Sequence, residues 1–293
     1  MNDNKYGKVK PKSELLFQRA EKVLSGGVTH SGRFWDPHPI YIDRGQGSHV
    51  FDIDGNEYID YFCANGSMIV GYNNINVVRA VKKQLERGSH FGMSNELMVK
   101  LAEKLVEMIP SAELLRFTNS GTESTMHSVR VARGYTKRDK IAKIAGGFNG
   151  ITDELYWGYK SPWNQADCAG IPESAGQNLI FLPFNDIDKC KKIITENKDE
   201  LACILMEPIT HFVIPPEPNF LESIREITEK YGIVLIFDEV VTNFRIAPGG
   251  AQEYYNVIPD LTCIGKAGGG MFPFGALVGK KEIMEIVDPS NTA

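Results

Sequence analysis

Residues 233–245 read IVLIFDEVVTNFR and residues 259–270 read PDLTCIGKAGGG. Ile233 to Phe237 is an unbroken apolar run rich in β-branched residues, the pattern of a strand buried on both faces. It delivers two carboxylates, Asp238 and Glu239, where the chain leaves the sheet. A second short apolar run, Leu261 to Ile264, delivers Lys266, followed by Gly268, Gly269 and Gly270. In an open parallel sheet, ligands bind outside the carboxyl ends of the strands. An acid and an amine carried there can face one crevice.

Working outward, short apolar runs alternate with helical stretches. Strands are expected at Leu114 to Phe117, Ile141 to Ile144, Leu179 to Leu182, Ala202 to Met206 and Ala276 to Val278, besides the two already quoted. Helices are expected at Gly121 to Tyr135, Asp186 to Glu196 and Phe220 to Tyr231, the last carrying Leu221, Ile224 and Ile227 on one side and closing at Gly232. The alternation predicts an α/β protein with a mainly parallel seven-stranded sheet between helices, over residues 73–293. Residues 1–72 read differently. A helix over Ser13 to Leu24 stops at Gly26-Gly27, and GSHVFDIDGNEYIDYF alternates about Asp54-Gly55 as a β-hairpin. This N-terminal part reads as a small antiparallel subdomain, with no evident partner for the hairpin to pack against. Two further helical stripes follow, Val77 to Leu85 and Leu97 to Met108, the second with Ser94 as its expected N-cap.

Net charge is −5 and the basic residues are scattered, which argues against nucleic acid as the main partner. The densest basic run, Lys189 to Lys192, is expected on a solvated helix face. The N-terminal residues show no apolar signal region, and no apolar stretch approaches a membrane span. Five dispersed cysteines without CxxC, and six histidines without HExxH, point to reduced thiols in a cytoplasmic protein and to no metal site.

Three more stretches carry chemistry. LLRFTNSGTEST places Ser120, Gly121 and Thr122 at a helix start. The free N–H groups there suit an anion such as phosphate, although helix capping is the commoner use of such residues. No Walker or GxGxxG pattern accompanies the turn, so a nucleotide site is weakly supported. After the next strand, GGFNG presents Phe148, an aromatic able to stack on a flat ring or simply to fill the core. CILMEPI places Glu207 at a third strand end. A buried carboxylate can hold a ring nitrogen protonated, and a lysine of lowered pKa can form a Schiff base. An anion turn, an aromatic, two acids and a lysine at the carboxyl ends of one sheet therefore describe a pyridoxal 5'-phosphate site.

The motifs NSGTEST, GGFNG, MEPI, FDEVVTNFR and DLTCIGKAGGGMFPFGA resemble those of the class III pyridoxal-phosphate aminotransferases of fold type I. SGGVTHSGR, YIDRGQGSHVFDIDGNEYIDY and GGAQEYYNVIPDLTCIGK are most similar to the glutamate-1-semialdehyde aminomutase branch, and also to its transaminase neighbours, including those acting on β-amino acids. The resemblance implies transfer of an amino group on a small amino acid or amino-aldehyde, with Lys266 as the Schiff-base lysine and Asp238 as the acid paired with the pyridine nitrogen. It also implies Val240 and Phe148 against the two ring faces, Ser120, Gly121 and Thr122 at the phosphate, and Asn149 and Glu207 beside the cofactor. Arg33 is implied as the ligand of the substrate carboxylate. The chain departs from the pattern at Asn149, where the family usually has His. It departs again at Asn65, where aminomutases tend to carry Trp in the substrate pocket, at His30, and at His211 with Phe212. The resemblance further implies a homodimer, and a C-terminal lobe beyond Ala293 whose lack would leave an inactive homologue as the alternative.

Overall fold

The computed structural model describes residues 11–210 and 213–291. Contacts divide the chain into two units, Met1–Ala64 with Val70–His90, and Asn65–Ile69 with Phe91–Ala293.

The first unit holds α1 (Pro11–Ala20), an antiparallel sheet of β1 (Ile42–Gln46), β2 (His49–Asp52) and β3 (Glu57–Ile59), and, beyond the short α2 (Cys63–Gly66), helix α3 (Ile75–Leu85). The hairpin forms about Asp54-Gly55 as expected, with His49 opposite Ile59. Asp52 makes the turn rigid: its Oδ1 accepts from the backbone N–H groups of Asp54 and Asn56, and its Oδ2 accepts from the Tyr58 hydroxyl at 2.8 Å. The pairing strand unseen in the sequence is β1, whose IDRGQ lacks the apolar alternation that marks a strand, because four of its five residues are exposed. Helix α1 ends at Ala20, short of the expected Leu24; Glu21 to Val23 close it with turn hydrogen bonds, and Gly26 and Gly27 lie in a following single turn.

The second unit is a seven-stranded sheet in the order β4-β10-β9-β8-β7-β5-β6. Its strands are β4 (Leu114–Thr118), β5 (Lys140–Ile144), β6 (Leu179–Leu182), β7 (Leu201–Met206), β8 (Val234–Asp238), β9 (Leu261–Ile264) and β10 (Gly275–Gly279). Pairs β5–β6, β5–β7, β7–β8 and β8–β9 are parallel, whereas β10 runs antiparallel to β4 and β9. The helices are α4 (Glu96–Met108), α5 (Gly121–Thr136), α6 (Ile187–Asn197), α7 (Phe220–Tyr231), α8 (Ala251–Tyr254) and α9 (Lys281–Met284).

Every residue of β7, β8, β9 and β10 is buried, which explains why these strands read as continuous apolar runs. On one face Ile204, Met206, Leu235 and Phe237 pack with Leu221 and Ile224 of α7 and Ile194 of α6. On the other, Leu205, Ile236 and Cys263 pack with Val129 and Ala132 of α5 and Ile283 of α9. Each such large side chain contributes about 1.5–3 kcal/mol through burial. Helix α7 closes where Gly232 turns left-handed at φ 60°, a conformation that glycine adopts without strain. Cys190 is buried beneath α6 while Lys189, Lys191 and Lys192 are exposed, as the basic run predicts. Helix α4 is capped by Asn95, whose side chain accepts from the Met98 N–H, and not by Ser94; the cap falls one residue later because the helix begins at Glu96. Most of its apolar stripe is exposed, Leu97 at 53% and Leu101 at 41%, with Leu105 buried.

Among the described residues all five cysteines are free thiols and no helix is long and apolar enough to cross a membrane.

Candidate functional site

The carboxyl ends of β4, β5, β7, β8 and β9 converge on one cleft, lined by Ser120, Gly121, Thr122, Phe148, Asn149, Glu207, Asp238, Val240 and Lys266 among others. The sheet places them at one level. Met206 pairs with Phe237 and Asp238 with Cys263, so Glu207, one residue past β7, stands beside Asp238. Lys266 follows two residues after β9.

Asp238 is the last residue of β8 and not the first beyond it, and it is 6% exposed. Its Oδ2 accepts from Asn149 Nδ2 at 2.9 Å and its Oδ1 from the Val240 N–H at 3.2 Å. Burial pushes its pKa up, against the Asn149 bond, the Val240 N–H and the charges of Lys266 and Lys143. Lys266 opens a single 3₁₀ turn with φ 37°, an uncommon backbone conformation for a residue with a side chain. Burial pushes its amine below the ordinary lysine value; Asp238 and Glu207 oppose that shift and Arg245 adds to it. An amine so placed is more readily neutral, hence nucleophilic, than one in water.

Ser120 caps α5, its Oγ accepting from the Glu123 N–H at 3.2 Å, while Glu123 reaches back to the Asn119 N–H at 2.9 Å. Capping and anion binding are compatible here. The N–H groups of Gly121 and Thr122, in the first helical turn, have no partner within the helix. A Cβ on Gly121 would stand 2.7 Å from Val240 Cγ2, so glycine lets the helix start approach the residue after the strand.

Phe148 donates its N–H to Glu207 Oε2 at 3.3 Å, and its ring meets Tyr156 and Tyr159 edge-on at 6.1 Å and 5.4 Å between centroids. Asn149 is 1% exposed, and its carbonyl accepts from Thr125 Oγ1 at 2.7 Å. Glu239, the second acid of the DEV triplet, turns away from the cleft. It accepts from the Ala251 and Gln252 N–H groups, Gln252 Nε2 and Thr242 Oγ1, and so anchors α8 behind Asp238.

Two residues assigned to substrate are not among those lining this cleft. Arg33 belongs to the first unit, exposed on the single turn Ser31–Arg33, with Nη1 donating to Thr29 Oγ1 at 2.7 Å. In the same turn His30 Nδ1 accepts from the Gly32 N–H. Asn65 lies in α2 with φ 58° and is not among the cleft residues. His211 and Phe212 lie outside the described residues. Two residues carried no assignment in the sequence. Arg245 closes the FDEVVTNFR motif, donates to the Val241 and Gly66 carbonyls and bears electrostatically on Lys266. Lys143 is a fully buried cation inside KIAKI, and nothing in the sequence separates it from Lys140, the half-buried lysine at the start of the same strand.

The aminotransferase class-III family profile matches residues 32–293. The chain belongs to that family. A relative from Methanocaldococcus jannaschii named glutamate-1-semialdehyde 2,1-aminomutase is 48% identical over 283 residues, 95% of this chain, and the chain spans 66% of that relative's length. An omega-transaminase structure from Sphaerobacter thermophilus superposes with a TM-score of 0.93 at 39% identity, covering 98% of this chain and 68% of that one. A structure described as a transaminase with PLP bound gives 0.92 at 34% identity, covering 97% of this chain and 68% of that one. The sheet is that of fold type I, as the motifs imply.

Proposed function

We propose that the chain binds pyridoxal 5'-phosphate and transfers an amino group, with Lys266 and Asp238 as its catalytic pair. One observation carries this reading: a half-buried amine and a buried acid rise from adjacent strands into a cleft that also holds an open helix N-terminus. The residues fit the cofactor. Asp238, restrained at both oxygens, suits a protonated ring nitrogen. The start of α5 suits a phosphate, and Phe148 and Val240 offer apolar surfaces. Bound cofactor would supply an aldehyde for amine capture and a ring that stores the electrons left when the substrate's α carbon loses its proton. Lys266 moves that proton at its Nζ, and Asp238 holds the ring's positive charge in place. Glu207 orients the Phe148 backbone.

The amino-group chemistry is read as that of a glutamate-1-semialdehyde 2,1-aminomutase, the name of the 48% identical relative. The likeness to an omega-transaminase favours a second reading, transfer between an amine, a β-amino acid included, and a 2-oxo acid. A homodimer is part of the proposal, the exposed apolar row of α4 being surface such pairing would cover. So is a cytoplasmic setting, which five free thiols suit.

Borohydride reduction in the presence of pyridoxal phosphate, followed by peptide mapping, tests the site. Label on Lys266 is expected, and label elsewhere or none overturns the reading. Turnover of a 1-semialdehyde without added amino acceptor then selects the aminomutase, and an absolute need for a 2-oxo acid selects the transaminase.

A further inference from the structure

Lys143 lies in the middle of β5, between Phe181 of β6 and Leu205 of β7, with no exposed surface. Its neighbours Ala142 and Ile144 point to one apolar cluster, while its own side chain takes the opposite face and runs toward the segment after Gly150. There Nζ donates to the Leu155 carbonyl at 2.8 Å and to the Trp157 carbonyl at 3.0 Å. These two carbonyls flank Tyr156, whose ring meets Phe148 edge-on, and Tyr159 supports the same ring from two residues further on. Backbone hydrogen bonds also tie the segment, among them Gly146 N–H to the Gly158 carbonyl, Tyr156 N–H to the Thr152 carbonyl and Gly158 N–H to the Gln165 carbonyl, and Tyr159 N–H donates to Asp167 Oδ2.

A buried ammonium is an expensive way to satisfy two carbonyls, since burying a charge costs more than burying a neutral group. Its use is rigidity, because charge-assisted hydrogen bonds are roughly twice as strong as neutral ones. We propose that protonated Lys143 is a positioning residue that clamps the 155–157 turn and through Tyr156 and Tyr159 holds the Phe148 ring that walls the cleft. The charged groups that bear on it are Asp167 from the following loop, Glu207 beyond β7 and Asp238 at the end of β8. Burial outweighs all three and brings the ammonium down to about 8. The clamp therefore weakens when one proton is lost just above neutral pH.

The importance of Phe148 rests on the function proposed above. The clamp itself is tested without cofactor, so failure of one is distinct from failure of the other. With 4-fluorophenylalanine at position 148 of the full chain, the ¹⁹F resonance is expected to shift between about pH 7 and 9.5, with a midpoint near 8. K143M abolishes the titration. K143R, charged throughout, holds the low-pH position across the range. The midpoint persists in K266A, which removes the amine that lines the cleft. A flat parent resonance, a midpoint that survives in K143M or K143R, or its disappearance in K266A overturns the proposal. Should K143M not fold, K143R decides.

Discussion

Asn149 Nδ2 lies 2.9 Å from Asp238 Oδ2, joining the turn after β5 to the last residue of β8 across 89 positions of sequence. Asn149 Oδ1 is buried and has no hydrogen-bond partner among the described residues, so the amide is oriented by the acid alone. An amide gains no charge at any ordinary pH. The buried acid is thus held by a group that cannot titrate, unlike a histidine.

N149A leaves Asp238 with the Val240 N–H as its remaining hydrogen-bond donor. Removing one partner of a buried pair costs about 1–3 kcal/mol. N149D costs more, because it sets a second carboxyl against the first. Urea unfolding at neutral pH reads both losses, and an unchanged midpoint in N149A would mean the bond has no net worth.

The raised pKa of Asp238 predicts a signed pH dependence. The folded chain holds this proton at pH values where the unfolded chain has released it, so the contribution of Asp238 to stability falls as pH climbs from its ordinary value of 3.8 through the folded one. D238N cannot ionise. Its stability relative to the parent should rise across that window and then level off. A difference that is constant with pH, or that moves the other way, contradicts the assignment.

Gly121 faces Val240 too closely for a side chain, its added Cβ falling 2.7 Å from Cγ2. G121A should cost about 1–3 kcal/mol by overpacking. V240A should recover much of that cost in a double-mutant cycle on thermal unfolding. Additive losses would place the strain elsewhere.

Glu239 collects four hydrogen bonds, from the Ala251 and Gln252 N–H groups, Gln252 Nε2 and Thr242 Oγ1. E239Q keeps the shape but turns one acceptor into a donor facing donors. A stability loss of about 1–3 kcal/mol is expected, together with faster hydrogen exchange in α8. Unchanged exchange there would show that the helix is held without the acid.

The strands were legible from composition because β7, β8 and β9 are buried on both faces, so residue type alone records their environment. Helix α7 was legible to the residue, since its stripe and its terminal Gly232 are local properties. Strand β1 was not, because IDRGQ is mostly exposed and pairs with β2 through its backbone. The cap of α4 slipped by one residue because Ser94 and Asn95 are both good caps and only the helix start chooses between them.

The sequence by itself determined which side chains stand at the strand ends: Asp238, Glu239, Lys266, Phe148, Glu207 and the Ser120 turn. Tertiary structure decided which of them face the cleft, turning Glu239 away to α8 and holding Asp238 through Asn149. It also decided that Lys143, unremarkable within KIAKI, is a buried cation under the aromatic wall. The reason is physical. Periodicity and capping are set by neighbours in sequence, whereas burial and hydrogen-bond partners are set by groups brought from other strands once the sheet is assembled.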